Sequence, residues 1–229
     1  MVKSILRTLS TSIRGLHQAA YLLAVFTLGA QILALVRDRI FAHAFGAGAT
    51  LDLYYSAFRI PDLVFAIIAS LVSAYVLIPR IAGVEPHVTR RIISHTASFL
   101  LIAGGIASVI LAVLIPSILP FMFPRFVHSA SYGEFVMLAQ LLLLQPILLG
   151  LSGIITSVTQ VHRRFILFAL SPILYNAGII LGALFLYPLF GLIGIGMGVV
   201  FGAVLHLLIH IPFVSSVGAL PHLVIPSRT

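Results

Sequence analysis

Arg37, Asp38, Arg39, Asp52, Arg59 and Asp62 crowd into residues 33–63, which read LALVRDRIFAHAFGAGATLDLYYSAFRIPDL between two apolar runs. The whole chain has 13 basic and 5 acidic residues, so these six are a third of its 18 charges. Arg39 reads as an interfacial arginine whose charge snorkels to the headgroups. Arg37 and Asp38 fit either that role or a functional one. Asp52 and Arg59 are seven apart, two helical turns, and so fall on one face of a helix. If that helix begins at Asp52, Arg59 sits about 10 Å inside it at 1.5 Å per residue. A charge at that depth faces protein or a water-filled cavity, because exposing it to lipid costs about 2.5–3.5 kcal/mol at the bilayer centre. The competing reading places the lipid span at residues 63–78 and leaves Arg59 interfacial, with Pro61 disrupting the helix upstream.

The elements that position these groups follow from composition. The chain is 61% hydrophobic with mean hydropathy +1.20, well above the ~45–50% apolar usage of soluble domains. Its apolar runs are continuous rather than alternating, which selects helices over a transmembrane barrel. Six runs of about 20 residues, the length that crosses a hydrocarbon core, lie near 18–36, 54–79, 92–115, 135–158, 165–187 and 191–213. The expected architecture is all-α, a polytopic membrane bundle of six transmembrane helices. Residues 1–17 form an N-terminal segment, 18–213 the six-helix lobe and 214–229 a tail. The first run is too long for a signal peptide and lacks its small-residue cleavage pattern, so it reads as a membrane helix.

Basic residues set the orientation. Lys3, Arg7, Arg14, Arg80, Arg90, Arg91, Arg163, Arg164 and Arg228 fall on one side of the six runs, while Arg37, Arg39 and Arg125 fall on the other. Both termini are therefore expected in the cytoplasm, in agreement with an even number of spans. The net charge of +8 is spread in ones and twos at span ends, a pattern of helix anchoring, and no nucleic-acid partner is expected. With no cysteine, disulfides, thiolate metal sites and cysteine nucleophiles are excluded.

Other polar residues carry less chemistry. His206 and His210 are four apart, a spacing that can ligate metal, but no acid or third ligand accompanies them; they read as helix-packing or interfacial residues, and no metal is expected. Gln140 and Gln145 are expected to hydrogen-bond between helices. Tyr175 and Asn176, near Pro172, fit a kink or a cavity wall. Gly194 and Gly198 have the small-xxx-small spacing of closely packed membrane helices. No set of nucleophile, base and orienting acid is present, so neither catalysis nor a cofactor is expected.

The stretch VRDRIFAHAFGAGATLDLYYSAFRIPDL, with RRFILFALSPILYN and FGAVLHLLIHIPFV later in the same order, resembles the N-terminal half of the MurJ (MviN) lipid II flippases of the MOP exporter superfamily. There, an Arg-Asp pair closes the first helix, a Phe-Gly-Ala-Gly turn follows, and an aspartate opens a second helix carrying a basic-x-Pro element. The resemblance implies one lobe of a two-lobed transporter that moves an undecaprenyl-diphosphate-linked substrate across the membrane by alternating access, in contact with membrane lipid and with a second lobe as partner. It implies Arg37 and Arg59 as diphosphate partners, Asp38 and Asp52 as their orienting counter-charges, and Gln31 and Asn176 as possible cavity-lining residues. Gln31 and Phe65 stand where arginines are usual, and Ser70 replaces a glutamate. Alternatives within the same resemblance are a non-transporting membrane scaffold and an exporter of another lipid-linked glycan.

Overall fold

The computed structural model describes residues 15–46, 48–71 and 74–224. The N-terminal segment up to residue 14 and the last five residues of the predicted tail lie outside them. Among the described residues there is no strand. Six helical stretches are long and apolar enough to cross a membrane: His17–Phe45, Ala49–Ile81, Pro86–Met122, Tyr132–Val161, Phe165–Phe190 and Leu192–Ser216. The chain is a helical membrane bundle, and these stretches are its first to sixth spans.

The spans are longer than the apolar runs that announce them. The first continues nine residues past Val36, through Arg37, Asp38 and Arg39, because the ladder of backbone hydrogen bonds runs through charged side chains as readily as apolar ones. It stops at Gly46, whose φ of 62° is the left-handed conformation in which a glycine ends a helix cheaply. The Arg-Asp pair therefore lies inside the first helix, about 12 Å before its end at 1.5 Å per residue. The second span begins at Ala49, ahead of Asp52, and breaks at Phe58 between helices Ala49–Ala57 and Arg59–Leu71. The cause is Pro61, which has no N–H to offer the carbonyl of Ala57.

The connections alternate between two ends. Gly83, His162 and Ala219 border one hollow, so the second and fourth connections and the segment after the sixth span meet at one end. Asp52 and Arg125 pair at the other. That alternation is what six antiparallel crossings require.

Close approach of the fifth and sixth spans organises the centre. Gly178 and Gly182 face Gly202 and Gly198, and a Cβ on Gly182 or Gly198 would lie 2.5 Å from the other's Cα. Gly194 packs on the Leu186 carbonyl in the same seam. Without a hydrophobic drive between helices in lipid, such backbone contact is a main source of association. Polar rungs add to it. Gln140 Nε2 donates to the Ala112 carbonyl at 2.8 Å, joining the third and fourth spans. Ser152 and His206 Nδ1 lie 2.7 Å apart, and Thr156 and His210 Nε2 3.0 Å apart, joining the fourth and sixth. The histidine pair thus serves helix packing through hydroxyl partners. Gln145, expected to hydrogen-bond between helices, is buried, but its Oε1 has no hydrogen-bond partner among the described residues.

After the sixth span the chain lies extended along the third. Arg90 Nε donates to the Leu220 carbonyl at 3.2 Å, Ser94 Oγ accepts from the His222 N–H at 3.1 Å, and Ser98 Oγ accepts from the Val224 N–H at 2.8 Å. The helix advances four residues per rung and the strap two. Four helical residues rise about 6.0 Å and two extended residues about 6.6 Å, so the two repeats match.

Two outcomes follow. Gly198→Ala should lower the stability of the detergent-solubilised protein by about 1–3 kcal/mol, the usual cost of overpacking, measured by thermal unfolding. Gly153→Ala, where an added Cβ meets nothing within 4 Å, should be neutral or stabilising. In this cysteine-free chain, Ser98→Cys/Val224→Cys should form a disulfide on mild oxidation. The off-register pair Ser94→Cys/Val224→Cys should not.

Candidate substrate-binding cavity

Arg37 projects from the first span towards the fifth. Its Nε and Nη2 donate to Asp38 Oδ1 at 3.0 and 2.8 Å, and its Nη1 donates to Asn176 Oδ1 at 2.9 Å. The fifth span prepares Asn176 for this. Pro172 cannot donate to the Phe168 carbonyl, and the Ser171 hydroxyl donates to it instead at 2.9 Å. Asn176 Nδ2 donates to the Pro172 carbonyl at 3.0 Å. With its NH₂ committed there, the amide turns its oxygen towards the guanidinium. The proline that disturbs the helix thus fixes the residue that orients the charge.

The guanidinium borders a hollow of about 420 Å³ lined by Arg37, Tyr54, Tyr55, Phe58, Arg59, Asp62, Tyr175 and Ile179. Arg37 and Arg59, on different spans, therefore share one space. One wall is aromatic: Tyr54 meets Phe41, Tyr55 and Phe58 edge to face, with ring centroids 4.9–5.2 Å apart. Phe41 and Tyr54 are buried, so this wall is a packed base for the charged groups above it.

Not every candidate residue comes to the hollow. Asp38 reaches it through Arg37, and Asn176 stands behind the same guanidinium. Asp52 does not border it. Its Oδ2 accepts from Arg125 Nη2 at 3.3 Å, and Arg125 also stacks 4.5 Å from the Phe126 ring centre. Asp52 lies about 10 Å nearer the start of the second span than Arg59, at 1.5 Å per residue, and serves as an exposed clip to the third connection. Gln31 is exposed and is not in the lining; six residues before Arg37, it points about 120° away from it at 100° per residue. Arg39 is exposed as well. Ser70 bonds the Ile67 carbonyl of its own helix at 2.7 Å.

The hollow also contains Tyr54, Tyr55, Phe58, Asp62 and Ile179, which the sequence did not single out as site residues. Tyr55, Phe58 and Asp62 share helical spacing with Arg59 along the second span, a signal that was present in the sequence. Tyr54, Ile179 and Tyr175, the last of these already read as a kink or cavity-wall residue, join them only because the first, second and fifth spans converge.

Residues 41–229 match the family model described as Lipid II flippase MurJ. This chain belongs to that family. It is 29% identical over 195 residues to the probable lipid II flippase MurJ of Borreliella burgdorferi, covering 82% of this chain and 37% of that protein. To the lipid II flippase MurJ of Burkholderia cenocepacia it is 25% identical over 215 residues, covering 90% and 42%. To the probable lipid II flippase MurJ of Haemophilus influenzae it is 28% identical over 211 residues, covering 85% and 41%. The chain therefore spans about two fifths of the length of these MurJ relatives. The matched family segment contains Arg59, Asp62 and Asn176 but begins after Arg37 and Asp38.

Removing either partner of Arg37 should expose the same fault. Asp38→Asn and Asn176→Leu are each expected to cost about 1–3 kcal/mol, the penalty for leaving a desolvated polar group unmatched. Because both act through one guanidinium, the double variant should depart from additivity by about 0.5–3 kcal/mol, read from unfolding midpoints of the four proteins.

Proposed function

We propose that this chain is one lobe of a flippase for lipid-linked diphosphates, with the undecaprenyl-diphosphate-linked peptidoglycan precursor as its substrate. The observation that carries the reading is the shared hollow. Two guanidiniums from neighbouring spans face one space within a bundle that is otherwise apolar. Guanidinium groups match phosphate oxygens bidentately, and the cost of keeping them at membrane depth favours a functional cause. The names borne by the relatives agree with that chemistry.

In this reading Arg37 is a fixed anion partner, held by Asp38 and Asn176, and Arg59 is a free one. The aromatic wall gives the headgroup an apolar, rigid base. Alternating access works by two halves rocking about a site near the midplane, so this lobe acts with a second one, either in the same polypeptide or as a partner chain. The lobe resides in the bacterial cytoplasmic membrane as a multi-pass protein in contact with lipid. The end carrying Arg80, Arg90, Arg91, Arg163 and Arg164 faces the cytoplasm, with both termini on that side, by the positive-inside rule.

Photolabelling of membranes with a diazirine-bearing polyprenyl diphosphate tests the site. Labelling of the chain should fall at least about tenfold, or 1.4 kcal/mol, in Arg37→Glu and in Arg59→Glu, and should be unaffected in Arg39→Glu, whose side chain lies outside the hollow. Undiminished labelling of both reversal variants at normal protein levels would remove the basis for the assignment.

A further inference from the structure

The charge of the hollow is balanced, which is a poor preparation for an anion. Arg37 is already matched by Asp38 at 2.8 Å. Of the two remaining charged groups, Arg59 and Asp62, neither has an ionic partner within 4.0 Å among the described residues. With Asp38 counted behind Arg37, two cations and two carboxylates sum to zero, and Asp62, the one carboxylate in the lining, faces the cavity without a contact ion pair. A sphere of 420 Å³ is about 9 Å across, close to the Debye length of about 8 Å at physiological salt. Wherever a diphosphate sits in this space, Asp62 acts on it with a repulsion that salt does not fully screen.

Arg59, one turn earlier on the same helix, is the nearest opposite charge but makes no contact with Asp62 within 4.0 Å among the described residues, and the rest of the lining gives no other match for the Asp62 charge. Phe58 and Ile179 are apolar. Tyr54, 3% exposed, borders the hollow with no hydrogen-bond partner among the described residues, and Tyr55 and Tyr175 add two more phenols. These are neutral oxygens beside a carboxylate, a hard-oxygen surface. Magnesium binds through one or two carboxylates, phosphate oxygens and retained waters.

We propose that Asp62 makes this hollow a site for a diphosphate together with a divalent cation. The carboxylate holds one side of a hydrated Mg²⁺ and the diphosphate oxygens hold the other, while Arg37 and Arg59 take the remaining phosphoryl oxygens. Asp62 thereby changes from a group that repels the headgroup to one that selects its metal-bound form. The inference rests on the diphosphate reading above and adds to it a co-bound ion and a residue that demands it.

Farnesyl diphosphate is a suitable probe, titrated into the purified chain in lipid nanodiscs with Mg²⁺ or with EDTA. The wild type should bind at least about tenfold more tightly with Mg²⁺. Asp62→Asn, which keeps the shape and removes the charge, should bind equally well in both media, and in EDTA more tightly than the wild type. Magnesium also pairs with diphosphate in free solution, so the loss of metal dependence in Asp62→Asn is the deciding comparison. With Mn²⁺ in place of Mg²⁺, the protein-bound electron paramagnetic resonance signal seen with the probe in the wild type should be lost in Asp62→Asn. Equal wild-type affinity in both media, or undiminished metal dependence in Asp62→Asn, would overturn the co-bound cation and leave the diphosphate reading intact. Failure of the wild type to bind the probe in either medium would overturn both.

Discussion

A guanidinium inside an apolar membrane bundle has to be answered by something, and the response to Arg37 ties two of its spans together. Asp38 neutralises it from the same helix and Asn176 receives it from the fifth span. Such a group is unfavourable in lipid by a few kcal/mol and tolerable only where protein or water surrounds it. The first span packs little of its own surface inside the bundle, so this polar bridge to the fifth span is one of the contacts that define its placement. The hollow beside it follows from the same demand.

The apolar framework and the polar site depend on each other through backbone irregularities. Pro61 breaks the second span at the place where Arg59 enters the cavity. Pro172 leaves the Phe168 carbonyl to Ser171, and Asn176 donates to the Pro172 carbonyl. In both spans a proline N–H is missing within a few residues of a polar group that borders the hollow or holds Arg37. Membrane helices tolerate such breaks because side chains re-satisfy the backbone. The glycine seam between the fifth and sixth spans supplies the opposite property, a contact too close for any side chain, which holds the back of the fifth span while its front turns to the cavity.

By the resemblance of the sequence, Phe65 and Gln31 stand where arginines are expected, and Asp62 contributes a negative charge within the hollow. The charge balance of this hollow differs from a simply cationic cavity, and the difference resides in single residues on an otherwise ordinary helix.

The sequence by itself determined the class, the number of membrane-capable spans and the segment that supplies most of the charges around the hollow. Continuous apolar runs admit only helices in lipid, the loops alternate in basic charge, and a third of all charges fall between residues 33 and 63. It also marked Gly194 and Gly198 as contact positions, since only small residues let backbones meet. What it left undecided were partners in space. Arg37 and Asn176 are 139 residues apart, and nothing local says that an amide on the fifth span receives a guanidinium from the first. Asp52 shares a helical face with Arg59 by spacing, but it lies two turns nearer the start of the span, where Arg125 of the third connection pairs with it. Tyr54 looked like ordinary apolar filling, and Tyr175 like a kink or a cavity wall, until three spans converged on them. Periodicity fixes which face a residue occupies, while the meeting of faces depends on how whole helices pack, and that was decided only in the tertiary structure.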